Sequence, residues 1–306
     1  MFKEYLAFIP FLILEKTYLF LPRYIFNYIL KFLINLIYAK LKLRRKVVAR
    51  NIDIAFPNLT DIEKINLIKD FYFSKGSFIQ AWLELKNKPI KKIIPKIVTN
   101  NLRQLQEAHA KRGMVIVICA HYDYFHLPFL LPYYGIPTSF FAIHHSNPFY
   151  RKWIMDSITR FGGNVIVDSK KNGFVLQKEL TKGNSLGLAV DLNSISPTAK
   201  FENFFNRPAS FGTGAYRLAL INKIPLFFVN GTYQNDQKYI MDFSAMITDF
   251  SNIKTRQDRL ATLDRLVADF SRKLEKIVTK QPAKYFWSNR RWKTQPPGYT
   301  NPYQNL

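Results

Sequence analysis

The sequence predicts an α/β protein: a mixed, mostly parallel sheet flanked by helices, preceded by a membrane-associated helical segment. Three observations lead there. Short apolar runs, "MVIVICA", "TSFFAI", "NVIV", "NSLGLAV" and "IPLFFVNGTY", succeed one another from Met114 to Tyr233. Stretches of helical character separate them, and such alternation buries a sheet between layers of helices. The N-terminal segment is apolar and aromatic yet carries Lys16, Arg23, Lys31 and Lys40. That mixture suits the lipid interface, where rings and snorkelling amines sit at headgroup level.

Taken in order, residues 1–43 are expected to form the anchor and 44–306 the α/β domain. No window reaches the ~18 uncharged apolar residues of a simple spanning helix. No small-residue cleavage site follows the first apolar run, which argues against a signal peptide. The cluster "KLKLRRK" comes next and favours anionic lipid. Thr60 with Glu63 reads as a capping box, opening a helix in which Ile65, Ile68, Phe71 and Phe78 recur. "KNKPIKKIIPK" is a Pro-broken connector. Further helices are expected at about Asp123–Tyr134, Pro148–Phe161, Gly173–Lys182 and Gly212–Asn222. "KYIMDFSAM" supplies a final antiparallel strand, and a basic helix over Thr255–Lys280 leads to the tail "YFWSNRRWKTQPP".

With 45 basic against 21 acidic residues the chain carries +24, a field that draws anionic partners. Nucleic acid, an anionic membrane surface and an acidic carrier protein are the classes it admits. No nucleic-acid motif is present and the aromatic residues concentrate in the N-terminal segment, so nucleic acid is not expected. The 48% hydrophobic content excludes wholesale disorder. The single cysteine, Cys119, excludes an intramolecular disulfide, and no Cys/His ladder suggests structural zinc.

Candidate chemistry gathers behind "MVIVICA". His121 follows that strand at the carboxyl end, where parallel sheets bind ligands. Asp123 and His126 follow closely, and Asp191 ends "SLGLAV" on the same rim. His121 is then a catalytic base, a metal ligand or a polar loop residue. Together with His144 and His145 these residues are metal-competent, but the blocks of the metallophosphatases are missing, so no metal is expected. Arg160, Asp191 and Arg207 are expected substrate contacts; arginine suits a phosphate or a developing oxyanion. Completing a helix dipole, capping a turn and lying on the surface are their structural alternatives. Arg290, Arg291 and Lys293 interleave with Trp287 and Trp292 in a basic aromatic tail.

From about Arg44 to Pro297 the chain resembles the late acyltransferases of lipid A biosynthesis, a branch of the lysophospholipid acyltransferase superfamily. "RRKVVARNIDIAFPNLT", with Asn51 and Phe56-Pro57, resembles the family's opening segment. "AHYDYFH" resembles its active-site block, "NPFYRKWI…RFGGNVI" and "DLNSISPTAKFENFFNRPASFGTGAYRLALINKIPLFFV" its middle, and "YFWSNRRWKTQPP" its terminal signature. The resemblance implies O-acyl transfer at a bacterial inner membrane, with the catalytic domain on the cytoplasmic face. The acyl thioester of an acyl carrier protein or CoA is the implied donor, a glycolipid such as a lipid A precursor the acceptor, and no metal or bound cofactor is needed. The family's His takes the proton of the acceptor hydroxyl, and a carboxylate five residues on holds the imidazole. Here the base would be His121, but His126 stands at the fifth position. A neutral imidazole can orient His121, yet it cannot stabilise the cation. Asp123 or Asp191 could supply the charge, His126 could serve an altered dyad, or the fold could bind lipid without catalysis.

Overall fold

The computed structural model describes residues 2–142, 146–167, 172–233, 238–304 and 306. Its sheet has seven strands: β1 (Ile97–Asn100), β2 (Ile116–Cys119), β3 (Thr138–Ala142), β4 (Asn164–Val167), β5 (Ser185–Ala189), β8 (Leu226–Tyr233) and β9 (Tyr239–Ile247). The spatial order is β1-β9-β8-β2-β5-β3-β4, with β6 (Lys200–Phe204) and β7 (Arg207–Phe211) forming a separate hairpin. All pairings in the large sheet are parallel except β8 with β9. The strand at the centre, β2, is buried on both faces, which is why it reads as an unbroken apolar run. Chain direction across the sheet switches there, since β5 lies on one side of β2 and the next strand to join, β8, on the other.

The helices are α1 (Phe2–Phe20), α2 (Arg23–Leu36), α3 (Arg45–Ala55), α4 (Asp61–Asn87), α5 (Ile90–Ile93), α6 (Leu102–Arg112), α7 (Pro148–Thr159), α8 (Asn172–Thr181), α9 (Gly214–Asn222) and α10 (Arg256–Lys280). Capping boxes start two of them, Thr60 with Glu63 on α4 and Thr255 with Asp258 on α10. The stretch expected as a helix from Asp123 is instead a loop followed by a 3-10 helix, Leu127–Tyr134. Pro128 and Pro132 explain this, because each removes a backbone donor that an α-helix would use.

The N-terminal segment packs on the domain by one face. Phe26, Leu30 and Ile34 of α2 are buried, four residues apart, and Ile34 meets α4 at Gly76, where a Cβ would come within 2.6 Å of its side chain. Buried Glu15 of α1 pairs with Lys86 of α4 at 2.7 Å and accepts from the Trp153 indole of α7 at 2.9 Å. Away from the domain, Phe2, Leu6, Ile13, Tyr24, Tyr28 and Phe32 are exposed. A π-helical turn, Ile37–Leu41, prolongs α2, so Arg23–Leu41 is long and apolar enough to cross a membrane by length and composition. The run is not free of charge, as the sequence indicated, since Arg23, Lys31 and Lys40 lie in it.

The β6–β7 hairpin turns on Phe205 and Asn206, both with positive φ (52° and 57°). Two such residues make a type I′ turn, which matches the twist of a hairpin. Asn206 is among the few non-glycine residues that take this backbone readily. Phe205 is held there by its N–H on Glu275 at 2.8 Å and by packing on Phe56 and Trp287.

Candidate active site

Strands β2 and β5 run side by side with Cys119 opposite Ala189. His121 and Asp191 therefore each lie two residues beyond that pair, together on the carboxyl rim beside the switch in chain direction. Asp191 is fully buried. Its Oδ1 accepts the His121 backbone N–H at 3.0 Å and pairs with the His121 Nδ1 at 2.8 Å. One oxygen thus fixes both backbone and ring. With the Nδ1–H committed to a carboxylate, Nε2 is left with a free lone pair. The side chain keeps 20% exposure, between Phe125 and Phe286, whose ring centroids lie 4.8 and 5.8 Å away. Such a pair can accept a proton at Nε2 and hold the resulting cation against a buried anion.

A buried carboxylate needs compensation. Burial alone would push Asp191 up, but the His121 ring, its two hydrogen bonds and the Arg291 charge outweigh that and hold the carboxyl below its ordinary range. Arg291 is itself buried, its guanidinium 4.1 Å from the Phe211 ring centroid, with Nη1 donating to the Ser210 carbonyl at 2.7 Å. Its Nε and Nη2 make no hydrogen bond among the described residues. Burial first, and then the Asp191 charge, raise the Tyr285 hydroxyl, so this residue stays protonated between acid and cation. His121, Asp191, Tyr285 and Arg291 form one electrostatic cluster.

The His121 loop is stitched to the C-terminal segment that brings Arg291. Tyr122 bridges Tyr285, and the Asp123 N–H donates to the Lys284 carbonyl at 3.1 Å. On the other side the Tyr124 N–H reaches the Gly231 carbonyl at 3.3 Å, and a Cβ on Gly231 would fall 2.3 Å from the Tyr124 oxygen. Only glycine permits that approach. Buried Asn51 of α3 donates to the Trp287 and Asn289 carbonyls at 2.6 and 2.7 Å and accepts from the Tyr303 hydroxyl. The first and last motifs of the sequence therefore meet behind the loop.

Comparison with known proteins points the same way. The sequence model described as bacterial lipid A biosynthesis acyltransferase matches residues 1–294. The chain belongs to that family. A search among curated proteins finds no match.

In this member of the lipid A acyltransferase family, His126 does not reach His121. Neither of its ring nitrogens has a hydrogen-bond partner among the described residues. The ring is fully buried in an aromatic box, stacked on Trp82 at 5.1 Å and edge-on to Phe78 at 5.2 Å. Burial pushes its pKa down to about 3, so it stays neutral at physiological pH. Asp123 is also turned elsewhere: with φ at 42° it pairs with Lys284 at 3.2 Å. Burial raises Asp123 to about 6, with Lys284 and Lys75 pulling the other way. The geometry corrects the expectation that His126 or Asp123 orients His121. It also removes Asp191 from the substrate contacts, since that carboxylate is the one at the imidazole. The exchange has a physical logic, because a carboxylate in the aromatic box would have no cation beside it.

Two arginines expected at the substrate donate to backbone carbonyls of the chain itself. Helix α7 leads from the carboxyl rim back to the start of β4, which puts Arg160 at the opposite end of the sheet. Its guanidinium donates to the Leu85 carbonyl at 2.6 Å and to that of Lys88, capping the end of α4. Arg160→Ala is expected to cost about 1.5–3 kcal/mol of stability and to leave acyl transfer unchanged. Thermal melts beside rate assays check this, and a folded but inactive variant would contradict it. Arg207, at the start of β7, donates to the Thr300 carbonyl at 2.7 Å and ties down the C-terminal loop.

His144 and His145 lie outside the described residues. Among the described residues no three His, Cys, Asp or Glu side chains gather as a metal site. What sequence reasoning missed is the pairing of Arg291 with the site. Its only signal was the terminal signature, which names the residue without showing that it is buried.

Proposed function

We propose that this chain moves a fatty acyl group from the thioester of an acyl carrier protein or coenzyme A to a hydroxyl of a membrane glycolipid such as a lipid A precursor. The observation that carries the reading is the His121–Asp191 pair on the sheet rim, within a chain of an acyltransferase family. The His121 Nε2 takes the acceptor's proton as its oxygen attacks the thioester carbonyl. The C–S bond then breaks, the ester remains, and the imidazolium returns its proton to the leaving thiolate. Asp191 accepts the Nδ1–H throughout and stabilises the cation. Acid, base and the two substrates balance this reaction, so it calls for no metal and no bound cofactor.

The exposed aromatic face of α1 and α2 supports docking on lipid at the cytoplasmic side of the bacterial inner membrane. There the net charge of +24 would meet anionic headgroups and an acidic carrier. The test is transfer of label from radiolabelled acyl carrier protein into a bacterial lipid extract by the detergent-solubilised protein. His121→Ala is expected to lower labelled lipid by about 10²–10⁴-fold, while His126→Ala keeps most of the activity. Labelled lipid no higher with wild type than without protein, with whole-cell lipid profiles that also do not differ from those of His121→Ala, would leave a lipid-binding protein instead.

A further inference from the structure

Next to His121 lies a second feature that the acyl-transfer chemistry does not use. A cavity of about 340 Å³ is lined by Arg44, Phe286, Ser288, Asn289 and Arg290. Phe286 is shared: it lines this cavity and its ring centroid lies 5.8 Å from that of His121. The lining holds two guanidiniums, a hydroxyl and an amide, and no carboxylate. Neither arginine is in a salt bridge to a side-chain carboxylate among the described residues. Arg290 is steadied on one side by its Nη2 donating to the Leu306 terminal carboxylate at 2.9 Å, and its Nε has no hydrogen-bond partner among the described residues. The Asn289 Oδ1 is unpartnered among the described residues too, and rotating that amide would offer its N–H to the same space.

Position adds to chemistry. Arg44 sits at the joint between the N-terminal segment and α3, held at φ 57°. Leu41 and Leu43 just before it are 56% and 55% exposed. The cavity is therefore cationic, is flanked by exposed leucines on the side of Arg44, and borders the His121 rim through Phe286. Arg290 has the Leu306 carboxylate on one side, and a neutral headgroup would leave Arg44 without a counter-charge among the described residues. A phosphate monoester supplies one, since arginine forks match its oxygens in pairs and a serine hydroxyl adds a further donor.

We propose that Arg44, Ser288 and Arg290 bind a phosphate group on the headgroup of the acceptor lipid and so hold the acceptor hydroxyl at His121. This rests on the acyl-transfer reading for the identity of the acceptor, but the binding itself does not. The test uses the full chain in detergent with dihexanoyl phosphatidic acid as probe, dihexanoylglycerol as its phosphate-free control, and coenzyme A as a donor-side phosphate. The phosphatidic acid is expected to bind at least tenfold more tightly than the glycerol lipid. Arg44→Gln and Arg290→Gln should each weaken that binding about tenfold, while Arg103→Gln, on exposed α6, should not.

In the transfer assay the two cavity variants should raise the acceptor KM and leave the donor KM in place. Equal binding of the charged and neutral lipids, or unchanged affinity in both folded variants, would overturn the proposal. So would coenzyme A affinity falling with the two substitutions while phosphatidic acid affinity did not, because the phosphate would then belong to the donor. Intact phosphate binding by a wild type that transfers no acyl group would retain the site and remove the enzyme reading.

Discussion

Asp191→Asn is expected to reduce acyl transfer by about 10⁴-fold, the loss seen when the acid of a His–acid pair becomes an amide. Shape is nearly conserved, so an oxygen still faces the His121 N–H and ring. The charge is gone, and with it the stabilisation of the imidazolium and the bias that keeps Nε2 unprotonated. Turnover at saturating donor, read beside circular dichroism to verify the fold, measures this. His126→Asp in the same background should not rescue it, because an acid there faces Trp82 and Phe78 and not the His121 ring. Activity of Asp191→Asn within tenfold of wild type would mean that another group carries the charge.

Arg291→Met should cost about 3–5 kcal/mol of stability, the range for stripping one partner from a buried charge pair. The pH dependence carries the diagnosis. In the wild type Asp191 lies below its ordinary value of 3.8, so its ionised form adds stability that is present above about that pH and is lost as pH falls through the lower folded value. Without Arg291 one of the lowering influences is lost, so the carboxyl moves back toward its ordinary value while the His121 ring and its two hydrogen bonds still hold it down. The ionised acid then adds less stability to the variant than to the wild type above about pH 3.8, and neither keeps that contribution once the carboxyl is protonated. The gap between variant and wild type should therefore narrow as pH falls below that value. Urea unfolding from neutral to acidic pH reads that gap, and a constant difference would show that Arg291 acts by packing alone. Arg291→Lys should lose less, keeping the charge while giving up the planar stack on Phe211.

The sheet was largely legible because its central strands are buried on both faces and spell out as apolar runs. Strands β1, β6 and β7 were not. "IVTN" is a four-residue edge strand, and "KFENFFNRPASF" turns on Phe-Asn without the glycine that signals a hairpin. Helix α6 gave no signal since Leu105 is its sole buried residue. At the site, the strand end located His121 but not its partner, which lies 70 residues away. Nearness in sequence favoured Asp123 and His126. The register of β2 on β5 favours Asp191, and that register is a property of the folded sheet. The local backbone also decides against Asp123, whose left-handed conformation and bond to Lys284 direct its carboxylate elsewhere.

The counter-charge of Asp191 comes from a segment that follows every strand of the sheet. On the ribosome the chain emerges from its N-terminus, so the strands that carry His121 and Asp191 are complete before Tyr285 and Arg291 appear. Until then the carboxylate has no buried cation, and the loop before it lacks its bridge to Tyr285. A nascent or prematurely terminated chain would thus hold its imidazole and its acid in one sheet without the means to keep them working together. The segment that completes the electrostatic cluster is thus made after every element that it joins, the N-terminal helices first among them.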